Sequence, residues 1–395
     1  MFTSSRTHAF TSVRNHAFCR RMLAIIAGAA LALGFLTVSA SAPAHAQNYE
    51  IWALDQGTNI VHIYSPKLEE VGRIDMNAHG VRVPHMIHFT SDGAYAFIAS
   101  TGSGDVSVIR AADRAVVSVL KTGPATHMAV VKPDDSAVIA DVIGAANAPR
   151  TGKLVEITID KQKGAFAIGR SLELAADPLL KQAADKFSDL RAVCHDYSAD
   201  GKHAYVTLGP ALKDGGLVIL DTEKFALTAA FPASEIRANC GTVLLPDRKH
   251  MIVNGGDREV GVWYVLDTAT QKVVRQGESR GFDAHGVWAT PNGREIWMVN
   301  RGTSNGIILD PKTFAIVAEL QVGPTPDIIA MSPDSQFAFV TLRGPNPVSA
   351  PHLAKGKTPG FAVVSIPDRR MIKLIQPAEG NDKSDFHGIG VRVVR

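Results

Sequence analysis

Between Asp283 and Gly323 the chain reads DAHGVWATPNGREIWMVNRGTSNGIILDPKTFAIVAELQVG, with apolar and polar residues alternating in four short runs. The runs are His285–Ala289, Glu295–Asn300, Gly306–Leu309 and Phe314–Val322. Pro291-Asn292-Gly293, Gly302–Asn305 and Asp310-Pro311-Lys312 separate them. A period of two sends alternate side chains to opposite faces, and Gly, Pro, Asn and Asp clusters supply turns. The stretch therefore predicts a four-stranded antiparallel meander. One such sheet leaves both faces in water, so the unit is useful only when stacked on copies of itself.

The copies are present. Units open at His85, Thr126, Arg191, Asn239 and Pro326, each with a turn such as Ser91-Asp92-Gly93 or Pro333-Asp334-Ser335 after its first strand. The N-terminus supplies three strands without a first one: Glu50–Leu54, Ile60–Tyr64 and Val71–Met76. The C-terminus supplies a first strand, Asp385–Arg392, with nothing after it. Joined, they complete a seventh unit and close a ring, which removes the exposed end faces of an open array. His85 to His127, Cys240 to His285 and His285 to Asp327 are 42, 45 and 42 residues apart, within the span of a propeller blade. The expected fold is all-β: a seven-bladed β-propeller of four-stranded antiparallel blades, closed by the C-terminal strand completing the N-terminal blade. Two insertions interrupt it. Residues 175–190 have helical composition, and residues 344–360 are rich in Pro and Gly.

Composition changes the picture at the N-terminus. Arg20-Arg21 precede the apolar run Met22–Ala40, and Ala44-His45-Ala46 follows it. That order describes a secretory signal peptide over residues 1–46, leaving one propeller domain at 47–395 and implying a periplasmic or secreted protein. The leader holds four of the 41 basic side chains and no acid, so 37 bases face 38 acids in the mature chain. No cationic run remains to displace the counterions of a nucleic acid. After cleavage, no further apolar run is long enough to span a membrane.

Stacking the blades on their turns aligns the residue that opens each first strand, the innermost strand of a propeller. That column reads His85, His127, Val193 (followed by Cys194 and His195), Cys240, His285, Asp327 and His387. His88 adds an imidazole three residues beyond His85. Such side chains ligate copper, zinc or iron. They can also hydrogen-bond a neighbouring blade and serve only to lock the ring. Asp283 and Asp385 stand two residues before His285 and His387, where a carboxylate can steer an imidazole or cap a turn. Cys194 and Cys240, the only mature cysteines, sit at similar places in adjacent blades; a disulfide, free thiols and metal ligation all fit. Arg191, Arg237, Arg280, Arg301 and Arg343 lie near the same mouth and read individually as solvated loop residues. Trp288 and Trp297 read as core.

AYVTLG (Ala204–Gly209), EIWMVNRG (Glu295–Gly302) and FAFVTLRG (Phe337–Gly344), each after a turn of the Asp/Asn-Gly type, resemble YVTN-type propeller repeats. Those are similar in turn to the haem-d1 propellers of bacterial cytochrome nitrite reductases and to lactonase-like periplasmic propellers. The resemblance covers residues 48–395. It implies a metal ion or a haem-type cofactor on the axial histidines, in support of a redox or cofactor-maturation partner in the periplasm. The other functional classes are an interaction scaffold without cofactor, using the two insertions, and a lactonase-like hydrolase or metal-dependent oxidoreductase. No Gly-x-Ser-x-Gly elbow, phosphate loop or zinc-protease helix occurs, so the leaning is toward a binding protein.

Overall fold

A computed structural model describes residues 48–210, 214–351 and 353–394; the signal peptide read from the sequence lies outside them. The described chain is seven four-stranded antiparallel sheets arranged as a β-propeller. The first blade pairs Tyr49–Asp55, Ile60–Tyr64 and Glu70–Asp75 with the last strand of the chain, Phe386–Val393. Tyr49 faces Val393 and Trp52 faces Gly390 in that ladder. The innermost strands of blades two to seven are Pro84–Phe89, Thr126–Val131, Ala192–Tyr197, Ala238–Leu244, Ala284–Ala289 and Pro326–Met331.

Each blade is buried on both faces, and its period of two decides which neighbour a residue meets. Trp52 and Leu54 pack with Ile87 and Ile98 of blade two. Ile51 and Ala53, one step along the same strand, pack with Phe339 and Phe361 of blade seven. Fully burying a side chain of this size contributes about 1.5–3 kcal/mol. The propeller is thus held by a ring of inter-blade cores rather than one centre. The 175–190 insertion packs against blade four: Asp177 caps the helix Pro178–Gln182 and accepts from the Leu227 N–H, and Leu180, Phe187 and Leu190 are buried.

One irregularity repeats in all seven blades. The ladder between the innermost strand and the next slips where the strand opens. The residues left in the slip are His387-Gly388, His85, His127, Val193-Cys194, Asn239-Cys240-Gly241, His285-Gly286 and Asp327-Ile328. A β-bulge leaves its extra residue unpaired and re-aims the side chain. Seven bulges therefore turn the aligned column toward the axis. The glycines have a separate reason. A Cβ on Gly388 would lie 2.3 Å from the His85 carbonyl oxygen, and one on Gly286 equally close to that of Asp327. Neighbouring inner strands touch there, backbone to backbone.

Candidate metal centre at the channel neck

The bulged side chains meet in a hydrogen-bonded plug across the channel. Arg343, wholly buried, donates from Nε and Nη2 to the Asp385 carboxylate at 2.7 and 2.8 Å and from Nη1 to Asp327 Oδ2 at 2.7 Å. Arg301 donates from Nε to Asp283 Oδ2 at 2.7 Å and reaches Asp327 Oδ1 at 3.3 Å. Gln56 donates to Asp385 Oδ2 at 2.8 Å, which fixes its amide orientation, so its oxygen accepts from His85 Nδ1 at 2.9 Å. His85 Nε2 must then accept from His127 Nε2, 3.0 Å away. His387 stacks on His85 with ring centres 3.6 Å apart and donates from Nδ1 to the His85 carbonyl at 3.0 Å.

His285 stands between a thiol and a carboxylate. Its Nε2 lies 3.0 Å from Asp327 Oδ1, and its Nδ1 lies 3.0 Å from Cys240 Sγ. Nε2 also receives Arg301 Nη1 at 3.4 Å, and Nδ1 is the nitrogen that exchanges a hydrogen bond with the sulfur. Cys194 Sγ lies 3.8 Å from His127 Nδ1. Cys194, His127, Cys240 and His285 line one axial cavity of about 40 Å3, more than one water needs. Two groups bring their donor atoms within 4.8 Å of one another: Cys240, Asp283 and His285, and His285, Asp327 and His387. The Arg301 guanidinium stands 3.4 Å from His285 Nε2 in the second group and holds the Asp283 carboxylate in the first, so it opposes a metal cation on the carboxylate side of both. Cys240 Sγ and His285 Nδ1 are the pair on its far side, and both residues line the cavity.

Electrostatics separates charged from neutral members. Burial and then the Arg301 guanidinium push His285 down to about 4; burial pushes His127 down to about 3. Burial also holds His85 and His387 well below the ordinary imidazole range. Burial alone would raise Asp327, but Arg301, His285 and Arg343 outweigh it and keep the carboxyl well below the usual range. Burial raises both thiols well above their ordinary value. By formal charge the plug buries the carboxyl groups of Asp283, Asp327 and Asp385 against the guanidiniums of Arg301 and Arg343. That balance is one negative charge over.

His85, His127, Cys240, His285, Asp327 and His387 thus meet at the neck. His195 does not: it is turned off the axis to Asp141 Oδ2 at 2.6 Å, both side chains fully buried. His88 faces the opposite, lower half of the channel. The disulfide is corrected: both cysteines are free, because Cys194 is turned back to the imidazole of the preceding blade and Cys240 forward to that of the next. The two Asp-x-His carboxylates bind arginines (Asp283 with Arg301, Asp385 with Arg343), and Asp283 Oδ1 stays 4.0 Å from His285 Nδ1. Arg301 and Arg343 are buried ion-pair members, not solvated loop residues. Trp297 is core, but Trp288 lines the lower cavity and is 37 % exposed. Gln56 and Ser349 were not apparent from the column. Ser349 belongs to the 344–360 insertion, which folds over an upper mouth of about 480 Å3 and contacts Gln56 and Arg343.

No family model matches the chain, the YVTN repeats included, and no curated protein matches it. Solved structures do match in fold. A functionally unknown protein from Desulfotomaculum acetoxidans superposes with a TM-score of 0.61 at 14 % identity, covering 87 % of this chain and 98 % of that one. Hydrazine synthase of Kuenenia stuttgartiensis gives 0.57 at 17 % identity over 72 % and 86 %. The dihydro-haem d1 dehydrogenase NirN gives 0.53 at 14 % identity over 86 % and 74 %. At such identities the likeness is one of fold: this chain is a seven-bladed β-propeller similar to those proteins.

Proposed function

We propose that the protein carries one soft transition-metal ion, Cu(I) in preference to Zn(II), at the neck of the propeller axis. Cys240 Sγ and His285 Nδ1 are the ligands, with Asp283 alongside. The observation that carries this reading is the line Cys240–His285–Asp327, with 3.0 Å at each step. A carboxylate beside one ring nitrogen orients the ring and raises its basicity, so that the other nitrogen, on the thiol side, can serve a metal. A thiol paired with an imidazole selects soft and borderline ions. At ligand distances of ~2.3 Å to sulfur and ~2.0 Å to nitrogen, a tetrahedral angle separates the two donors by about 3.5 Å. The present pair needs to open by only about half an ångström. The imidazole is already neutral, so only the Cys240 proton has to leave. The excess negative charge of the plug favours a cation over an anionic ligand.

A haem finds less support, because both ring nitrogens of His85 are engaged and His127 spends its Nε2–H on that ring. The neck cavity has room for an ion alone, which favours carriage; a substrate would have to sit in the upper mouth of about 480 Å3, which Cys240 and His285 also line. Export, read from the leader, would place that carriage in the periplasm, where a protein partner would receive the metal. The test is elemental analysis of the mature protein purified from its native compartment. One copper per chain is expected, lost in Cys240→Ser and in His285→Ala while circular dichroism stays unchanged. A metal-free protein that gains no thermal stability from Cu(I) or Zn(II) overturns the reading.

A further inference from the structure

Below the neck the channel opens again into a cavity of about 560 Å3, separate from the upper mouth. Its wall carries Met86, Met128 and Met331, together with His88, Ile329 and Trp288. Met86 and Met128 also line the neck cavity. They directly follow His85 and His127 in the chain, so the bulges that aim those imidazoles set the two methionines one level lower on the axis. Met331 and His88 lie further down, toward the ends of their strands.

We infer that this lower half is the entry route of the metal: a ladder of thioethers that passes a soft monovalent cation upward to Cys240 and His285. The inference rests on the metal reading of the neck and names the side from which the ion arrives. Three observations converge on it. Thioether sulfur is a neutral, soft donor that holds Cu(I) or Ag(I) and has little affinity for hard cations. The upper approach is less favourable: an ion descending from there would pass the Arg301 guanidinium, which lines that mouth beside Val348–Pro351. The lower cavity has no guanidinium but that of Arg392, which is tied to Glu50 and the Gly93 carbonyl. His88 adds an imidazole that burial keeps uncharged at neutral pH, so it offers a lone pair and no repulsion. A route lined by neutral soft donors costs a cation its hydration shell in steps, each step replacing water with sulfur or nitrogen.

The simpler use of methionine is gap-filling, and leucine would fill the same space. That difference is the test. The mature protein and the triple variant Met86→Leu/Met128→Leu/Met331→Leu are mixed with a coloured Cu(I)–bicinchoninate complex, and the loss of colour is followed in time. The account expects loading to slow by about tenfold or more, with the end point still one copper per chain, because the neck ligands are untouched. A loading rate within twofold of the parent's, to the same end point, overturns the route and leaves the neck site standing. A parent protein that takes up no Cu(I) overturns both. If the triple variant does not fold, Met331→Leu alone decides, since it lies furthest from the neck: about threefold slower loading supports the ladder and an unchanged rate refutes it.

Discussion

Arg343→Met is the sharpest perturbation of the plug. The guanidinium is completely buried and holds Asp327 on one side and Asp385 on the other. Methionine fills much of the volume but removes both ion pairs. The plug would then carry two uncompensated negative charges instead of one. Breaking a buried pair from one side costs about 3–5 kcal/mol, because the partner stays buried and charged. Asp385 keeps the Gln56 amide and the Gly344 and Val348 N–H groups, which places the loss toward the lower figure. The propeller has about 350 residues; at ~2.1 cal/mol/K per residue its unfolding entropy is about 0.7 kcal/mol/K, so Tm should fall by about 4–7 °C. Arg343→Lys should recover less than half of that, since one ammonium cannot span both carboxylates. The assay is thermal unfolding of the metal-free protein at pH 7, followed by circular dichroism. A solvated arginine would change stability by less than about 0.5 kcal/mol. A shift below about 1 °C would therefore refute the buried-network argument.

Further outcomes follow from the same geometry. His285 and His127 are pushed down to about 4 and about 3, whereas the unfolded imidazoles titrate near 6.5. Below pH ~6.5 the unfolded chain binds protons that the folded chain refuses, so stability is full at neutral pH and falls as pH drops toward 4. At pH 5 each of the two costs about 2 kcal/mol, read as a lower urea midpoint; equal midpoints at pH 7 and pH 5 would contradict it. Gly388→Ala forces a Cβ against the His85 carbonyl and should cost about 1–3 kcal/mol, seen as a lower Tm than the parent's; an unchanged Tm would show that the inner strands can part. Metal affinity should rise with pH below the thiol's range, about tenfold per unit for the one proton that Cys240 releases. A competition titration at pH 6, 7 and 8 measures the slope, and a flat profile would remove Cys240 from the ligand set.

The ring of blades was legible because its signal is repeated. Alternation, turn chemistry and the unpaired strands at the two ends all state the same topology. The axial column was legible for the same reason, but where its side chains go was not. At Ala192–Tyr197 the ladder slips by more than one residue, so Cys194 faces the axis while His195, the next residue, turns to Asp141. A bulge is a property of two paired strands, and nothing in the local alternation marks its frame. The arginines failed as readings for a related reason. Arg301 and Arg343 look like loop residues until carboxylates from two neighbouring blades close on them. Asp327 shares the column with the imidazoles, but its salt bridges to Arg301 and Arg343, like those of Asp283 and Asp385 to the same arginines, could not be read from the column.

The central claim concerns two atoms, Cys240 Sγ and His285 Nδ1, and X-ray absorption at the copper edge of the Cu(I)-loaded protein reads them directly. The account predicts sulfur at ~2.2–2.3 Å and nitrogen at ~2.0 Å in the first shell, with the sulfur contribution gone in Cys240→Ser. A copper shell of nitrogen and oxygen alone in the parent protein would contradict it.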